Sequence, residues 1–177
     1  MRFQRCAIAA AAAAGLFAAD LLPAYADAPQ QLGIFKSWSA FSSGSGDARV
    51  CYALSAPKMM EPSRLRRDAA YFLINDWPAR NAKSEPEIVP GYEYKDGTVV
   101  TAEVGPDKFQ FFTKNDNGAG AAWVEQQADE TRLVDAMRRG AEIIVTGISK
   151  HGRTTRDTYS LAGLNDALDK VHAACGT

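Results

Sequence analysis

His151 and His172 are the two histidines of the chain, and histidine is the side chain best suited to acid–base chemistry near neutral pH. His151 lies in a glycine-containing segment typical of a turn. Three residues that could complete a catalytic set are close to it in sequence: Ser149, Thr154 and Asp157. Because a nucleophile, a base and an orienting carboxylate must lie within hydrogen-bonding reach, one hypothesis is a hydrolase that uses His151. His172 adjoins the apolar face of a C-terminal helical pattern and is interpreted as a structural residue.

The sequence contains none of the other motifs that would indicate catalysis. It has no G-x-S-x-G elbow, no P-loop and no G-x-G-x-x-G. The segment Asn115-Asp116-Asn117-Gly118 lacks the alternating ligands and the distal glutamate of a calcium loop, so it is interpreted as a hairpin turn. No pair of histidines has the spacing of a helical zinc site. We therefore expect no catalytic residue, no metal and no cofactor, and a protein that is not an enzyme.

The three cysteines are Cys6, Cys51 and Cys175, and each stands alone. Their spacing excludes a C-x-x-C redox pair and a cysteine-rich zinc site. In an oxidising compartment, one intrachain bridge between Cys51 and Cys175 is the simplest outcome. Two buried free thiols, or a link between two chains, are the alternatives.

The densest charged segment contains Arg64, Arg66 and Arg67. These arginines are candidate partner-binding residues, because together they could hold an acidic partner or a phosphate. The alternative is a solvated loop in which one arginine pairs with a neighbouring carboxylate. A second basic group occupies residues 150–156. Since the formal net charge of the chain is −1, no binding of nucleic acid is predicted.

Most of the chain after residue 27 has the pattern of short strands separated by turns. Alternation of apolar and polar residues is clearest over residues 100–104 and 109–111. Further strands are predicted over 33–41, 49–54, 69–74, 121–124, 142–149 and 154–161, and over 88–94, where Pro90-Gly91 interrupts the run. Regularly spaced strands favour an antiparallel sandwich or barrel. Of the tryptophans, Trp38 and Trp123 are predicted in the core and Trp77 partly exposed.

Two helices are predicted. The first begins near Asp129, a suitable N-cap, and ends at Gly140. The second covers about residues 164–174, since Leu164, Leu168, Val171 and Cys175 recur at helical spacing. Cys175 thus continues the apolar face, and a bridge to Cys51 would fasten this terminal helix to a strand.

The N-terminal residues have the three-part pattern of a secretory signal peptide. Arg2 and Arg5 precede an uncharged apolar run, and Ala24-Tyr25-Ala26 supplies the small-x-small cleavage motif. We expect cleavage after Ala26, which leaves one domain over residues 27–177. The run is shorter than the ~20 apolar residues of a spanning helix, and no later segment is more apolar, so no transmembrane segment is predicted after cleavage. The protein is expected to be exported, with the periplasm as the main expectation and outer-membrane association or secretion as alternatives.

The chain resembles the invasion-associated locus B family of exported bacterial proteins. The resemblance rests on residues 49–58 (RVCYALSAPK), 69–74 (AAYFLI), 133–140 (LVDAMRRG), 145–149 (VTGIS) and 157–163 (DTYSLAG), followed by a helix that ends in Cys175. The Phe35-x-x-Trp38 pattern is also similar, but Lys36-Ser37 stands where the family usually has Gly-Asp. The resemblance implies a mainly all-β, immunoglobulin-like antiparallel β-sandwich with one short inserted helix and a C-terminal helix. It implies a structural role for the two cysteines and no catalytic residue.

These observations together predict an exported envelope protein that acts by binding a protein partner, in the envelope or on a host cell. An envelope hydrolase that uses His151 is one alternative. A structural subunit of an envelope complex is the other.

Overall fold

The computed structural model describes residues 28–177, so the predicted signal peptide lies outside the described residues. The described chain forms eleven strands and two α-helices. In chain order they are β1 (Gln30–Phe35), β2 (Trp38–Ser43), β3 (Val50–Ser55), β4 (Met59–Glu61), β5 (Tyr71–Trp77), β6 (Ala82–Val89), β7 (Val100–Val104), β8 (Asp107–Asp116), β9 (Ala119–Trp123), α1 (Gln127–Arg139), β10 (Glu142–Ile148), β11 (Thr154–Ser160) and α2 (Leu164–Cys175). No helix among these residues has the length and apolar character needed to cross a membrane.

The strands are antiparallel and form two layers that share β8. The first sheet has the order β1-β2-β3-β5-β6-β9-β8, and the second has the order β8-β7-β10-β11-β4. Residues 112–116 of β8 pair with β9, whereas residues 107–111 pair with β7. One long strand thus passes from one layer into the other, as in sandwiches whose corners are made by strands that change sheets. The predicted antiparallel β-sandwich with an inserted and a C-terminal helix is confirmed.

Large buried side chains join the two layers. The ring of Phe72 on β5 meets the edges of Phe111 on β8 and Tyr159 on β11, at centroid distances of 6.4 and 5.7 Å. Trp38 is fully buried, and its indole nitrogen donates a hydrogen bond of 2.9 Å to the carbonyl of Ser160 in the opposite sheet. Because this bond satisfies the polar end of the indole, the ring can fill the core without the cost of an unpaired donor.

The two helices pack mainly against strands of the first sheet. α2 packs on β1, β2, β3 and β5 through its buried residues Leu164, Ala167, Leu168 and Val171. α1 contacts β6, β8 and α2. It begins at Gln127, earlier than the predicted start at Asp129, with no side-chain cap. Asp129 lies instead in the first turn, where its carboxylate faces the positive end of the helix dipole.

Several predicted turns are confirmed, and two predicted strands differ from the structure. Asn117 and Gly118 both have positive φ and join β8 to β9, a hairpin geometry that asparagine and glycine favour. The predicted strand over 33–41 is wrong as a single element, because Lys36 has a φ of 53° and the chain reverses there between β1 and β2. The strand predicted over 88–94 ends at Val89, before the proline, and starts at Ala82.

Candidate functional site

The predicted disulfide bond joins Cys51 on β3 to Cys175 at the end of α2, with an S–S distance of 2.05 Å and Cα atoms 5.9 Å apart. Cys51 is fully buried on the face of β3 that α2 covers. The guanidinium of Arg49 donates a hydrogen bond of 2.9 Å to the carbonyl of Ala174 beside it. The bond therefore fastens the C-terminal helix to the first sheet, as predicted from the helical spacing of Cys175.

A small polar cluster lies next to the bridge and was missed in the sequence. Asp76, fully buried on β5, accepts hydrogen bonds from the backbone of Ser84 at 2.8 Å and from the hydroxyl of Thr177. The Nε2 atom of His172 lies 3.0 Å from the hydroxyl of Ser84 and 3.8 Å from the Oδ2 atom of Asp76. Only the fold brings together these residues, which come from β5, β6 and α2.

The cluster contains the residue types of a catalytic triad but not its arrangement. In a triad the serine and the carboxylate contact different nitrogens of the imidazole, so that one nitrogen takes the serine proton while the carboxylate orients the ring through the other. Here the hydroxyl of Ser84 and the carboxylate of Asp76 approach the same nitrogen. The carboxylate is therefore placed to hold the end of α2 in position rather than to orient His172 as a base for Ser84.

The acid–base behaviour of His172 gives a testable pH dependence. Burial lowers the pKa of its ring below the ordinary 6.5, although attraction to Asp76 opposes the shift. In the unfolded chain the ring binds a proton at a higher pH than in the folded chain, so its contribution to folding is lost as the pH falls below ~6.5. Chemical denaturation at about pH 7.5 and about pH 5.5 should show a smaller loss of stability for His172→Gln than for the unaltered protein. An identical pH response of the two proteins would contradict this assignment.

His151, the base of the hydrolase hypothesis, is exposed in the turn between β10 and β11. Two of its predicted partners are engaged elsewhere. Asp157 forms a buried ion pair with Arg67, and the hydroxyl of Ser149 accepts a hydrogen bond of 3.2 Å from the backbone of Arg153. The residues that are close to His151 in sequence therefore do not form a catalytic set around it.

The three candidate arginines separate in the structure. Arg64 and Arg66 are exposed, whereas the side chain of Arg67 is only 4% exposed. Its guanidinium donates two hydrogen bonds to the carboxylate of Asp157, which is equally buried, and one of 3.0 Å to the carbonyl of Pro90. Burial would lower the pKa of Arg67, but the hydrogen bonds and charge of Asp157 raise it. Arg67 is thus held inside the protein and is not available to a partner.

The fold adds a different arginine to the two exposed ones. Arg64, Leu65, Arg66 and Arg153 line a shallow pocket of about 300 Å³ together with Pro62. Arg153 belongs to the second basic group noted in the sequence, and the β10–β11 hairpin brings it to the segment after β4. We call this surface the arginine pocket.

The exposed edge strand β4 leads directly into the arginine pocket. Met59 and Met60 on β4 are 51% and 43% exposed. β4 pairs with β11 on one side, and the strand order places it at the end of the second sheet. An edge strand presents backbone donors and acceptors to which another chain can pair. Among residues 28–177, no three His, Cys, Asp or Glu side chains lie close enough to hold a metal ion.

Comparisons with known proteins agree with this fold. The family model of the invasion associated locus B (IalB) protein matches residues 38–172. A crystal structure of invasion associated protein B from Bartonella henselae superimposes with a TM-score of 0.57, covering 85% of this chain and 100% of that one, at 13% sequence identity. A comparison with curated proteins gives no match. The match to the family model covers most of the chain and confirms the resemblance seen in the sequence, so the chain belongs to the invasion associated locus B family.

Proposed function

We propose that the protein is exported to the cell envelope, in the periplasm first of all, and acts there by binding an acidic segment of a protein partner rather than by catalysis. The N-terminal signal pattern and the disulfide bond support an oxidising location. A partner on a host cell is a further possibility, suggested by the name of the family.

The observation that carries the binding function is the arginine pocket beside an edge strand. Arg64, Arg66 and Arg153 line the pocket together with Leu65. Arginine side chains can pair with carboxylates in a bidentate manner. Methionine side chains such as Met59 and Met60 adapt to different apolar surfaces. An acidic strand of a partner could therefore pair with β4 and place its carboxylates on the arginines.

Charge reversal within the arginine pocket tests this function. With the purified protein immobilised, Arg64→Glu/Arg66→Glu should weaken the capture of envelope proteins by tenfold or more, about 1.4 kcal/mol, because an attractive charge pair becomes repulsive. The matched control is Arg139→Glu/Lys170→Glu, which reverses two exposed positive charges on α1 and α2 outside the pocket. Quantitative mass spectrometry of the captured proteins is the measurement. Equal capture by the reversed pair and the control variant would remove the proposal.

The two alternatives lead to different results. A structural subunit would co-purify with its complex even at high salt, whereas binding through exposed charges weakens as salt screens them. A hydrolase that uses His151 would lose activity in His151→Ala while the capture of partners stays unchanged. The surroundings of His151 do not favour this alternative, since Asp157 and Ser149 are engaged elsewhere.

A further inference from the structure

A groove of about 620 Å³ crosses the outer face of the first sheet, away from the arginine pocket. Its floor consists of the neighbouring strands β5, β6, β9 and β8, and the segment that begins α1 borders it. Four strands spaced ~4.8 Å apart give a floor ~14 Å wide, the length of about four extended residues. The groove thus has the dimensions of a peptide segment rather than of a single small ion.

Three aromatic side chains line the groove. Phe112 is 39% exposed, and its ring lies 5.9 Å from that of the half-buried Trp123 on the paired strand. Trp77, which the sequence predicted as partly exposed, lies at the end of β5. Exposed aromatic faces attract cations through their negative π surfaces and are frequent anchors of protein interfaces.

Arg80 of the protein itself makes such a contact between a cation and an aromatic ring in this groove. The guanidinium of Arg80 lies over the ring of Trp77, 4.4 Å from its centroid. It also pairs with the carboxylate of Glu85 at 3.6 Å. The groove therefore combines an aromatic face and a carboxylate in the geometry that holds a guanidinium group.

Two further carboxylates of the groove have no cationic partner. Within residues 28–177, no ion pair involves Glu87 or Glu130, and Glu87 accepts one hydrogen bond of 2.9 Å from the amide of Asn75. Burial, with repulsion from Glu85 in addition, raises the pKa of both carboxyl groups. Glu125 adds a fourth carboxylate, and Lys114 at the rim is the remaining cation of the lining. A positive group that enters the groove would relieve this repulsion.

The spread of the carboxylates favours an organic cation over a metal ion. No three acidic or metal-binding side chains among the described residues are close enough to chelate a metal. The rings of Phe112 and Trp123 would instead cover the methylene stem of a long basic side chain, whose charged end reaches Glu87.

We propose that this groove binds a basic segment of a partner protein, with an arginine or lysine side chain lying across Phe112 and Trp123 and pairing with Glu87 and Glu130. The site is separate from the arginine pocket and does not depend on it. The protein would then have two binding surfaces of opposite charge, one at the edge of the second sheet and one on the outer face of the first.

Binding of a defined peptide to the purified protein tests the proposal without knowledge of the partner. The probe is a fluorescently labelled Gly-Arg-Gly-Arg-Gly peptide, and its anisotropy reports binding. Glu87→Gln should weaken binding about tenfold, because the amide keeps the bond to Asn75 but loses the charge. Lys114→Glu should strengthen binding several-fold, a gain that damage to the fold would not produce. Thermal unfolding of each variant verifies its folding.

Three controls separate this site from general attraction of positive charge. Asp135→Asn removes an equal charge from an exposed position of α1 outside the groove and should leave binding unchanged. The same peptide with citrulline in place of arginine should not bind. Spermidine, a free polyamine, should displace the labelled peptide only weakly. If spermidine displaced it as well as the unlabelled peptide does, the ligand of the groove would be a free polyamine and the proposed partner segment would be wrong. Equal affinity of Glu87→Gln, Lys114→Glu and the unaltered protein would overturn the proposal, whereas the capture experiment on the arginine pocket would be unaffected.

Discussion

Removal of the bridge between Cys51 and Cys175 is expected to lower the free energy of unfolding by about 5 kcal/mol. The bond closes a loop with a sequence separation of 124, and a loop of this length strongly limits the freedom of the unfolded chain. Because small domains are stable by only about 5–15 kcal/mol, reduction should remove a large share of the stability and can unfold the protein.

The measurement is urea denaturation of the purified protein in the presence and absence of a reductant, followed by far-ultraviolet circular dichroism. The Cys51→Ala/Cys175→Ala variant serves as the matched control, because it lacks the bond under both conditions and should not respond to the reductant. Loss of stability in the unaltered protein, with no change in the variant, isolates the contribution of the bond. An equal denaturation midpoint with and without reductant in the unaltered protein would show that the bond does not stabilise the fold.

The second large effect is expected at the buried pair of Arg67 and Asp157. Both side chains are only 4% exposed. Arg67→Met would leave the carboxylate of Asp157 buried without its counter-charge, at a cost of about 3–5 kcal/mol. The loss also removes the hydrogen bond to Pro90, which ties the segment after β4 to the chain that follows β6.

A double variant distinguishes the loss of a charge partner from the loss of packing. Arg67→Met/Asp157→Leu removes both charges, so it should be more stable than Arg67→Met alone. Denaturant unfolding of the two single variants and the double variant gives the coupling energy. A double variant that loses as much stability as the two single variants combined would contradict the role of the pair.

Because a change at Arg67 alters folding, charge reversal at the surface tests binding only at Arg64 and Arg66.

The fold could be predicted largely because its local patterns agree with its tertiary structure. Residues 100–104 alternate between buried and half-buried positions, and residues 109–111 alternate between buried and exposed positions, as their sequence predicted. The face of Leu164, Leu168 and Val171 is buried, as its helical spacing indicated. The prediction fails at β6, where Pro86 lies toward the core between Glu85 and Glu87. Because proline lacks a backbone donor and is rare inside strands, this segment was not recognised as a strand from its sequence.

The candidate sites could be predicted less well, because they form between distant segments. Arg64, Arg66 and Arg67 look equivalent in the sequence, yet burial against Asp157 turns one of them into an interior residue. Arg153 joins the other two only through the β10–β11 hairpin. The groove collects Glu87, Phe112, Trp123 and Glu130 from four elements. Trp123 was predicted in the core, but it is half-buried because its strand places it on the outer face of the sheet.

The sequence by itself determined the β-rich class, the two helices and the family, and it made a bridge between the two solitary cysteines the simplest of three outcomes. The class and the helices depend on side-chain periodicity and turn residues, which act over short distances along the chain, and the family is recognised by the order of its motifs. Only the tertiary structure decided which charges are buried, which aromatic rings stay exposed and which basic and acidic groups converge. The physical reason is that the burial of a side chain and the neutralisation of its charge depend on residues of other strands and of the opposite sheet. Which residues these are is set only when the strands pair and the sheets pack.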